Sequence, residues 1–243
     1  MKIGIIGAGN IGSTVARKLA ASGHAVKIAH AGGPESLQEL ATKIGATAVA
    51  AGDAVKDVHV IVLSVPLSAC ADLAGVFQEA PSNVIVVDTS NYYPFRDGAI
   101  AEIDGGKPES AWVGEQIGRP VVKTWNAALA ETLANRGRPA GQRGRLALPV
   151  AGDDTGAKAI VMKLVDETGF DPVDAGEVAQ SWRQQPGTPA YCTELAAAGL
   201  ATALQSADKS RAPVNRERLI KEFMQGKEMT HDEIVARNRA GTA

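Results

Sequence analysis

The sequence predicts a doubly wound, mostly parallel α/β sheet, followed by a smaller α/β C-terminal part and a helical tail. Three observations carry that expectation. Through the first 90 residues, short Val/Ile runs alternate with segments of helical period. A glycine-rich turn follows the first of those runs at once. Near residue 145 the texture changes to a strand, a long amphipathic segment and an Ala/Leu-rich stretch. Strands that read as continuous apolar runs, each followed by a helix, belong in a parallel sheet covered on both faces.

The elements follow in order. IGII (3–6) is the first buried strand, and Ile11, Val15 and Leu19 then recur at helical spacing. AVKIA (25–29) is the second strand. Pro34 suits the first turn of the next helix, whose apolar stripe is Leu37, Leu40 and Ile44. TAVA, VHVIVLSV and NVIVVDT supply three more strands, with a helical stretch near 67–79 between the last two. A looser segment is expected over 92–119, and VVKTW (121–125) as a sixth strand. Beyond 145, RLALPVAGDD runs from strand into turn, with Asp154 as N-cap of the helix TGAKAIVMKLVDETG. FDPVDAG is a short strand, a helix is expected over about 190–208, and Thr230 and Glu233 have capping-box spacing in the charged tail. The expected division is a dinucleotide-binding domain over 1–145 and a small C-terminal domain with helical tail over 146–243.

Gly7-Ala8-Gly9-Asn10-Ile11-Gly12 fits G-x-G-x-x-G between a strand and a helix, the context that makes this motif specific for a Rossmann-type domain. Gly7 permits the tight turn, Gly9 lets backbone N–H groups approach a pyrophosphate, and Gly12 lets helix and strand pack closely. The helix N-terminus adds partial positive charge. In an open α/β sheet the ligand lies outside the carboxyl ends of the strands. Those ends read GAGN, HAGG (30–33), SVP (64–66), DTSNYY (88–93) and KTWN (123–126), all small, polar or aromatic. Ser64, Val65 and Pro66 are expected along the nicotinamide ribose, where a proline exposes no donor; Pro66 also suits the start of the next helix.

The end of the second strand normally declares cofactor preference, through an acid that binds the NAD ribose or an arginine that holds the NADP phosphate. Here His30, Ala31 and Gly32 occupy it, and neither device is present. His30 and the N–H groups at the start of the Pro34 helix are the remaining candidates to meet a 2′-phosphate. No carboxylate is there to repel one, so NADP(H) is expected ahead of NAD(H).

The rest of the composition narrows the function. The 243 residues carry 25 Lys+Arg against 27 Asp+Glu, a balance that argues against nucleic acid or an acidic membrane as partner. Cys70 and Cys192 lie far apart, without metal-ligand spacing, and read as reduced thiols of a cytoplasmic protein. Glycines and polar residues interrupt the apolar N-terminus, so no signal peptide is expected. Seven of the ten aromatics fall in two regions: Tyr92, Tyr93, Phe95, Trp112 and Trp125 in one, Trp182 and Tyr191 in the other. Facing each other they would wall a flat substrate; an interface is the alternative.

Acid–base machinery is sparse. His24 reads as a surface residue, His59 as a packed core histidine, and His231 as part of the tail. Lys123 with Asn126 suits either carbonyl polarisation or a structural role. No zinc, P-loop or Ser-His-Asp arrangement is present, and no catalytic residue is assigned. Direct hydride transfer between two flat rings needs none, because positioning supplies most of the catalysis.

Taken together, GAGNIGSTVARKLAASGH, GPESLQEL, NYYPFRDG, RLALPVAGDD, GFDPVDAG and SWRQQPGTPAYC resemble the NADP oxidoreductases linked to the deazaflavin coenzyme F420. The closer likeness is to that family's broad bacterial branch of NAD(P)-binding reductase-like proteins, over roughly residues 2–205. The resemblance implies a dimer and hydride exchange between NADP(H) and a second redox ring, a deazaflavin or flavin. It implies that Gly9, Asn10 and Ile11 hold the pyrophosphate, and Ser64, Val65 and Pro66 the ribose–nicotinamide end. The chain departs from the family pattern at Ala31-Gly32, where a Ser-Arg pair is usual. It departs again at Asn126-Ala127, where a paired asparagine is frequent. Two other readings stand beside it: reduction of a small imine or carbonyl compound, with Lys123 or a tyrosine as proton donor, and a non-catalytic NAD(P)-binding sensor.

Overall fold

The structure is a computed structural model describing residues 1–226 and 229–242. The first half runs β1 (Lys2–Ile6), α1 (Asn10–Ala21), β2 (Ala25–Ala29), α2 (Gln38–Ile44), β3 (Thr47–Ala48), α3 (Ala51–Ala54), β4 (Val60–Leu63), α4 (Ala74–Gln78) and β5 (Ile85–Asp88). Then come α5 (Pro94–Asp97), α6 (Ala101–Asp104), α7 (Glu109–Ile117), β6 (Val121–Lys123) and α8 (Ala130–Asn135). The remainder is β7 (Ala147–Val150), α9 (Thr155–Glu167), β8 (Asp171–Asp174), α10 (Ala197–Ser206), α11 (Ala212–Gln225) and α12 (His231–Thr242).

Six parallel strands form one sheet in the order β3-β2-β1-β4-β5-β6, the doubly wound arrangement whose switch point lies between β1 and β4. The central strands are apolar throughout because helices cover both faces; β4, VIVL, is buried at every position. One face packs Val15, Ala16 and Leu19 of α1 against Ile3, Ile5 and Ile28. The other packs Phe77, Trp112 and Val113 against Ile61, Leu63 and Val86. A second, two-stranded parallel sheet pairs β7 with β8, and its helix α9 joins the α1 face of the main core through Val161, Leu164 and Val165. An antiparallel bridge between Lys123 and Ala151 links the two sheets.

Capping follows the sequence. Asp154 accepts the Ala157 N–H at 2.7 Å, a cap that contributes about 1 kcal/mol. Thr230 and Glu233 form the reciprocal capping box of α12, with Glu233 accepting the Thr230 N–H at 2.7 Å. The Ala/Leu-rich helix begins later than its composition suggests, at Ala197.

Three readings need correction. The segment 92–119 is not loose but holds α5, α6 and α7. Its Gly and Pro residues sit at helix ends, Pro94 and Pro108 at starts and Gly98 and Gly118 at positive-φ stops, so they punctuate helices rather than prevent them. His59 is exposed, because it lies just ahead of β4 at the amino end of the sheet, where its Nδ1 accepts the Lys2 N–H. His24 is largely covered: its Nε2 meets Glu167 of α9 at 2.6 Å.

Beneath the carboxyl ends of β5 and β6 lies a buried ionic cluster. Lys123, fully buried, approaches Asp88 at 3.5 Å and Glu109 at 3.4 Å, and donates to the Ser90 carbonyl at 3.0 Å. Asp88 in turn accepts from the Ser90 N–H and the Ser110 hydroxyl. Burial pushes the Glu109 carboxyl above the usual glutamate range, with Lys123 opposing. The folded protein thus holds that proton more tightly than the unfolded chain. This group's stability contribution is full at low pH and fades as pH climbs from about 4.3 through the raised value. Replacing Glu109 by Gln should remove that fall, so urea unfolding of the variant should be flatter with pH than that of the wild type. Lys123→Met leaves two buried carboxyl groups without their cation and should cost about 3–5 kcal/mol at neutral pH by the same measurement.

Candidate functional site

The strand ends converge as the hydrogen bonds require. The Gly7 N–H donates to Ala29 O, the Ser64 N–H to Ile6 O, the Thr89 N–H to Leu63 O and the Thr124 N–H to Asp88 O. This row of turns opens a cleft of about 380 Å³. One wall is Gly9, Asn10 and Ile11 with Ser64, Val65 and Pro66; the other is Ser90, Asn91, Asn126 and Tyr191.

The three motif glycines divide into two kinds. Gly7 has φ +110°, and a Cβ there would lie 2.0 Å from the Ser64 carbonyl oxygen. A Cβ on Gly12 would lie 2.0 Å from the Gly7 carbonyl oxygen. Both are demanded by the protein's own packing. Gly9 is different: a Cβ there meets nothing within 4 Å, so no protein contact requires a glycine. It is also the N-cap of α1, with no side-chain cap and no acid in the first turn, which leaves first-turn N–H groups facing the cleft. A bare helix N-terminus behind a cradle that a side chain would fill fits a pyrophosphate.

At the β2 end, His30 Nε2 lies 2.8 Å from Ser36 Oγ. The Ser36 hydroxyl also lies within hydrogen-bond reach of the Gly32 and Gly33 carbonyls. Ala31 and Gly32 are exposed beside this pair. Neither these three residues nor Ser36 lines the main cleft; they sit next to it, at the turn that follows β2.

On the opposite wall Asn126 is buried, donating to Asn91 Oδ1 at 3.0 Å and to the Gln184 carbonyl at 2.9 Å. Asn91 Nδ2 donates to the Asn126 carbonyl and reaches Tyr191 Oη at 3.4 Å. The Tyr93 and Tyr191 hydroxyls lie 2.5 Å apart. Burial pushes both phenols upward, so both stay protonated at neutral pH. Cys192, the next cleft residue, has its thiol pushed up to about 12 by burial and is not a thiolate nucleophile. Ser90 Oγ is buried and makes no hydrogen bond among the described residues.

The aromatic wall expected from the sequence forms only in part. Tyr93 and Tyr191 meet, but Trp125 is sealed in the α1-face core, donating to Thr168, and Tyr92 and Trp112 belong to the opposite core. Trp182 is flanked by Arg183 and Lys209 away from the cleft. Lys123 is closed off beneath Ser90, which removes it as a proton donor to the cleft. Sequence reasoning missed Asn91, Tyr93 with Tyr191 as a pair, and Arg96, which lines the cleft while pinned by Asp97 and the Asn91 carbonyl. The strand-end stretch DTSNYY contained Asn91 and Tyr93; their partners Asn126 and Tyr191 lie 35 and 98 residues further along the chain.

Comparison with known proteins gives the family. The family model described as "NADP oxidoreductase coenzyme F420-dependent" matches residues 2–92. The protein YjhV of Escherichia coli strain K12 is 45% identical over 103 residues, 42% of this chain and 75% of that protein. The crystal structure of a hypothetical protein, SMa0349 from Sinorhizobium meliloti, superposes with a TM-score of 0.69 at 32% identity, over 81% of this chain and 95% of that one. The chain belongs to the coenzyme F420-dependent NADP oxidoreductase family. A candidate F420-dependent NADP reductase from Arthrobacter sp. FB24 gives 0.62 at 25% identity, over 74% of this chain and 87% of that one. The F420-dependent family carries out NAD(P)-dependent oxidoreduction, and this chain is an oxidoreductase of that kind. Among the described residues, no helix is long and apolar enough to cross a membrane.

The two kinds of glycine separate in a simple experiment. Gly12→Ala should destabilise the protein by about 1–3 kcal/mol through overpacking, read by denaturant unfolding. Gly9→Ser supplies a good N-cap and should leave stability unchanged or raised, while its side chain enters the cleft and weakens dinucleotide binding.

Proposed function

We propose that the cleft binds NADP(H) and passes a hydride to a flat acceptor of the deazaflavin or flavin type. The observation that carries this reading is the cleft itself: a bare α1 N-terminus and the Ser64–Pro66 edge on one side, and a second polar wall on the other. NADPH, when bound, supplies the hydride. Asn10 and Ile11 N–H groups would hold its pyrophosphate, and Ser64, Val65 and Pro66 would flank the ribose–nicotinamide end. Asn126, fixed by Asn91 and Gln184, is rigid enough to orient either ring.

NADP(H) is favoured only slightly over NAD(H): His30 and Ser36 offer donors at the β2 end, while the exposed Glu35 carboxylate lies against Gly33 on the same turn. A charge-assisted hydrogen bond contributes about 1.5–3 kcal/mol, so without an arginine the site forgoes about 10- to 150-fold in NADPH affinity. His30 and Ser36 recover part of it. Preference is therefore mild.

A second reading, reduction of a small imine or carbonyl compound, is favoured by the Tyr93–Tyr191 pair. A C=N or C=O group needs a proton as well as a hydride, and the protonated Tyr191 phenol, backed by Tyr93, lines the cleft. We further propose a homodimer, following the family resemblance, and a small-molecule substrate as the only partner.

NADPH oxidation monitored with 8-hydroxy-5-deazaflavin separates the two readings. Turnover with this acceptor, falling less than about threefold in Tyr191→Phe, supports the deazaflavin reading. Loss of about 100-fold or more in that variant, with cyclic imines turned over in its place by the wild type, supports the other. In binding titrations His30→Ala should weaken NADPH by about tenfold and leave NADH unchanged. Equal effects on both would remove His30 from phosphate recognition.

A further inference from the structure

The segment carrying Tyr191 has a feature that neither the glycine turn nor the family likeness explains. Cys192 and Glu194 both hold left-handed backbone, at φ +55° and +50°, although neither is glycine. Residues of these types leave that region unless their surroundings hold them. The hold is visible, and it comes from the last two helices. Asn215 of α11 donates to the Gly187 carbonyl at 3.2 Å. Asn238 of α12 donates to the Cys192 carbonyl at 3.2 Å. Arg239 donates through Nε to the Thr193 carbonyl at 2.6 Å and through a terminal nitrogen to the Glu194 carbonyl at 2.8 Å. The Glu194 carboxylate meets His231 at the start of α12, 2.7 Å away, and accepts from Thr132 of α8. Three consecutive carbonyls are thus taken by two neighbouring residues of one helix.

The other edge of the same segment faces the cleft. The Cys192 N–H donates to the Ala127 carbonyl, one residue beyond Asn126, and Tyr191 reaches Tyr93. The helices also hold each other: Arg218 of α11 donates to the Gly241 carbonyl, and Arg237 pairs with Glu222 at 2.8 Å. We propose that α11 and α12 form a clamp that sets the position of the Tyr191–Cys192 wall, with Asn238 and Arg239 as its positioning residues. Only the view of that wall as the acceptor side rests on the function proposed above. The clamp itself is a statement about which contacts hold the loop.

The two cysteines report on it directly. Cys192 sits in the clamped segment, and Cys70 is buried beside Leu67 and Phe77 on the far face of the sheet. Both are shielded, so alkylation by N-ethylmaleimide, read at each cysteine by mass spectrometry, measures local opening. Arg239→Met keeps the length and apolar stem of an exposed side chain and removes all its donors. In the full-length protein it should speed labelling of Cys192 on the order of tenfold or more while Cys70 stays at the wild-type rate. Arg239→Lys should lie between. His231→Ala, which removes the second attachment, should move the same cysteine in the same direction. A parallel rise at both cysteines, or no rise at Cys192 in either variant, overturns the proposal. NADPH affinity of Arg239→Met, measured alongside, should stay within about threefold of wild type, since the glycine turn is untouched. A failure of NADPH to bind the wild type would count against the cofactor reading and leave the labelling ratio to decide the clamp.

Discussion

A lysine ammonium at the carboxyl end of an edge strand, with no exposure to water, is the constraint on which the Asn91–Asn126 wall of the cleft depends. Lys123 holds the Ser90 carbonyl and lies against Asp88 and Glu109, so it fixes the two turns that leave β5 and β6. A buried charge persists only when paired and hydrogen-bonded, and here one cation serves two carboxyl groups. A proton on Glu109, which burial favours, leaves one lysine matched with one aspartate. Asn91, Tyr93 and Asn126 follow within three residues of the groups so fixed; Asn91 and Asn126 line the cleft, and Tyr93 backs it through Tyr191.

The cofactor side is built on different physics. No charge is involved: Gly7 and Gly12 allow β1, α1 and the Ser64 turn to approach more closely than any side chain permits. That leaves the α1 N-terminus open toward the cleft at Gly9. One wall is thus made by the removal of side chains and the other by a polar network. The Tyr191 segment, strained at Cys192 and Glu194, is tied across the gap by the Ala127 carbonyl on one edge and the C-terminal helices on the other.

Much of this was legible from residues alone, and the reason is that local rules governed it. Strand runs buried on both faces, the glycine spacing, the Asp154 cap and the Thr230–Glu233 box each act within a few residues. What was illegible depends on distance along the chain. The sealing of Lys123 needs Glu109 and Asp88 together. The Tyr93–Tyr191 contact joins positions 98 apart; the aromatic clustering pointed to the two regions but not to which rings meet. His59 read as core because it borders a buried strand, but the residue ahead of a strand lies at the amino end of the sheet, open to solvent. The helices at 94–117 were hidden because their proline and glycine residues, correct for helix ends, read as loop composition.

The central claim is that the glycine turn and the Tyr191 wall are the two sides of one dinucleotide cleft. The most direct measurement is a crystal structure of the protein grown with NADPH. The pyrophosphate is expected at the Asn10 and Ile11 N–H groups, the 2′-phosphate toward His30 and Ser36, and the nicotinamide between Pro66 and Asn126. A dinucleotide bound with its nicotinamide away from Asn126 and Tyr191, or bound outside this cleft, would contradict it.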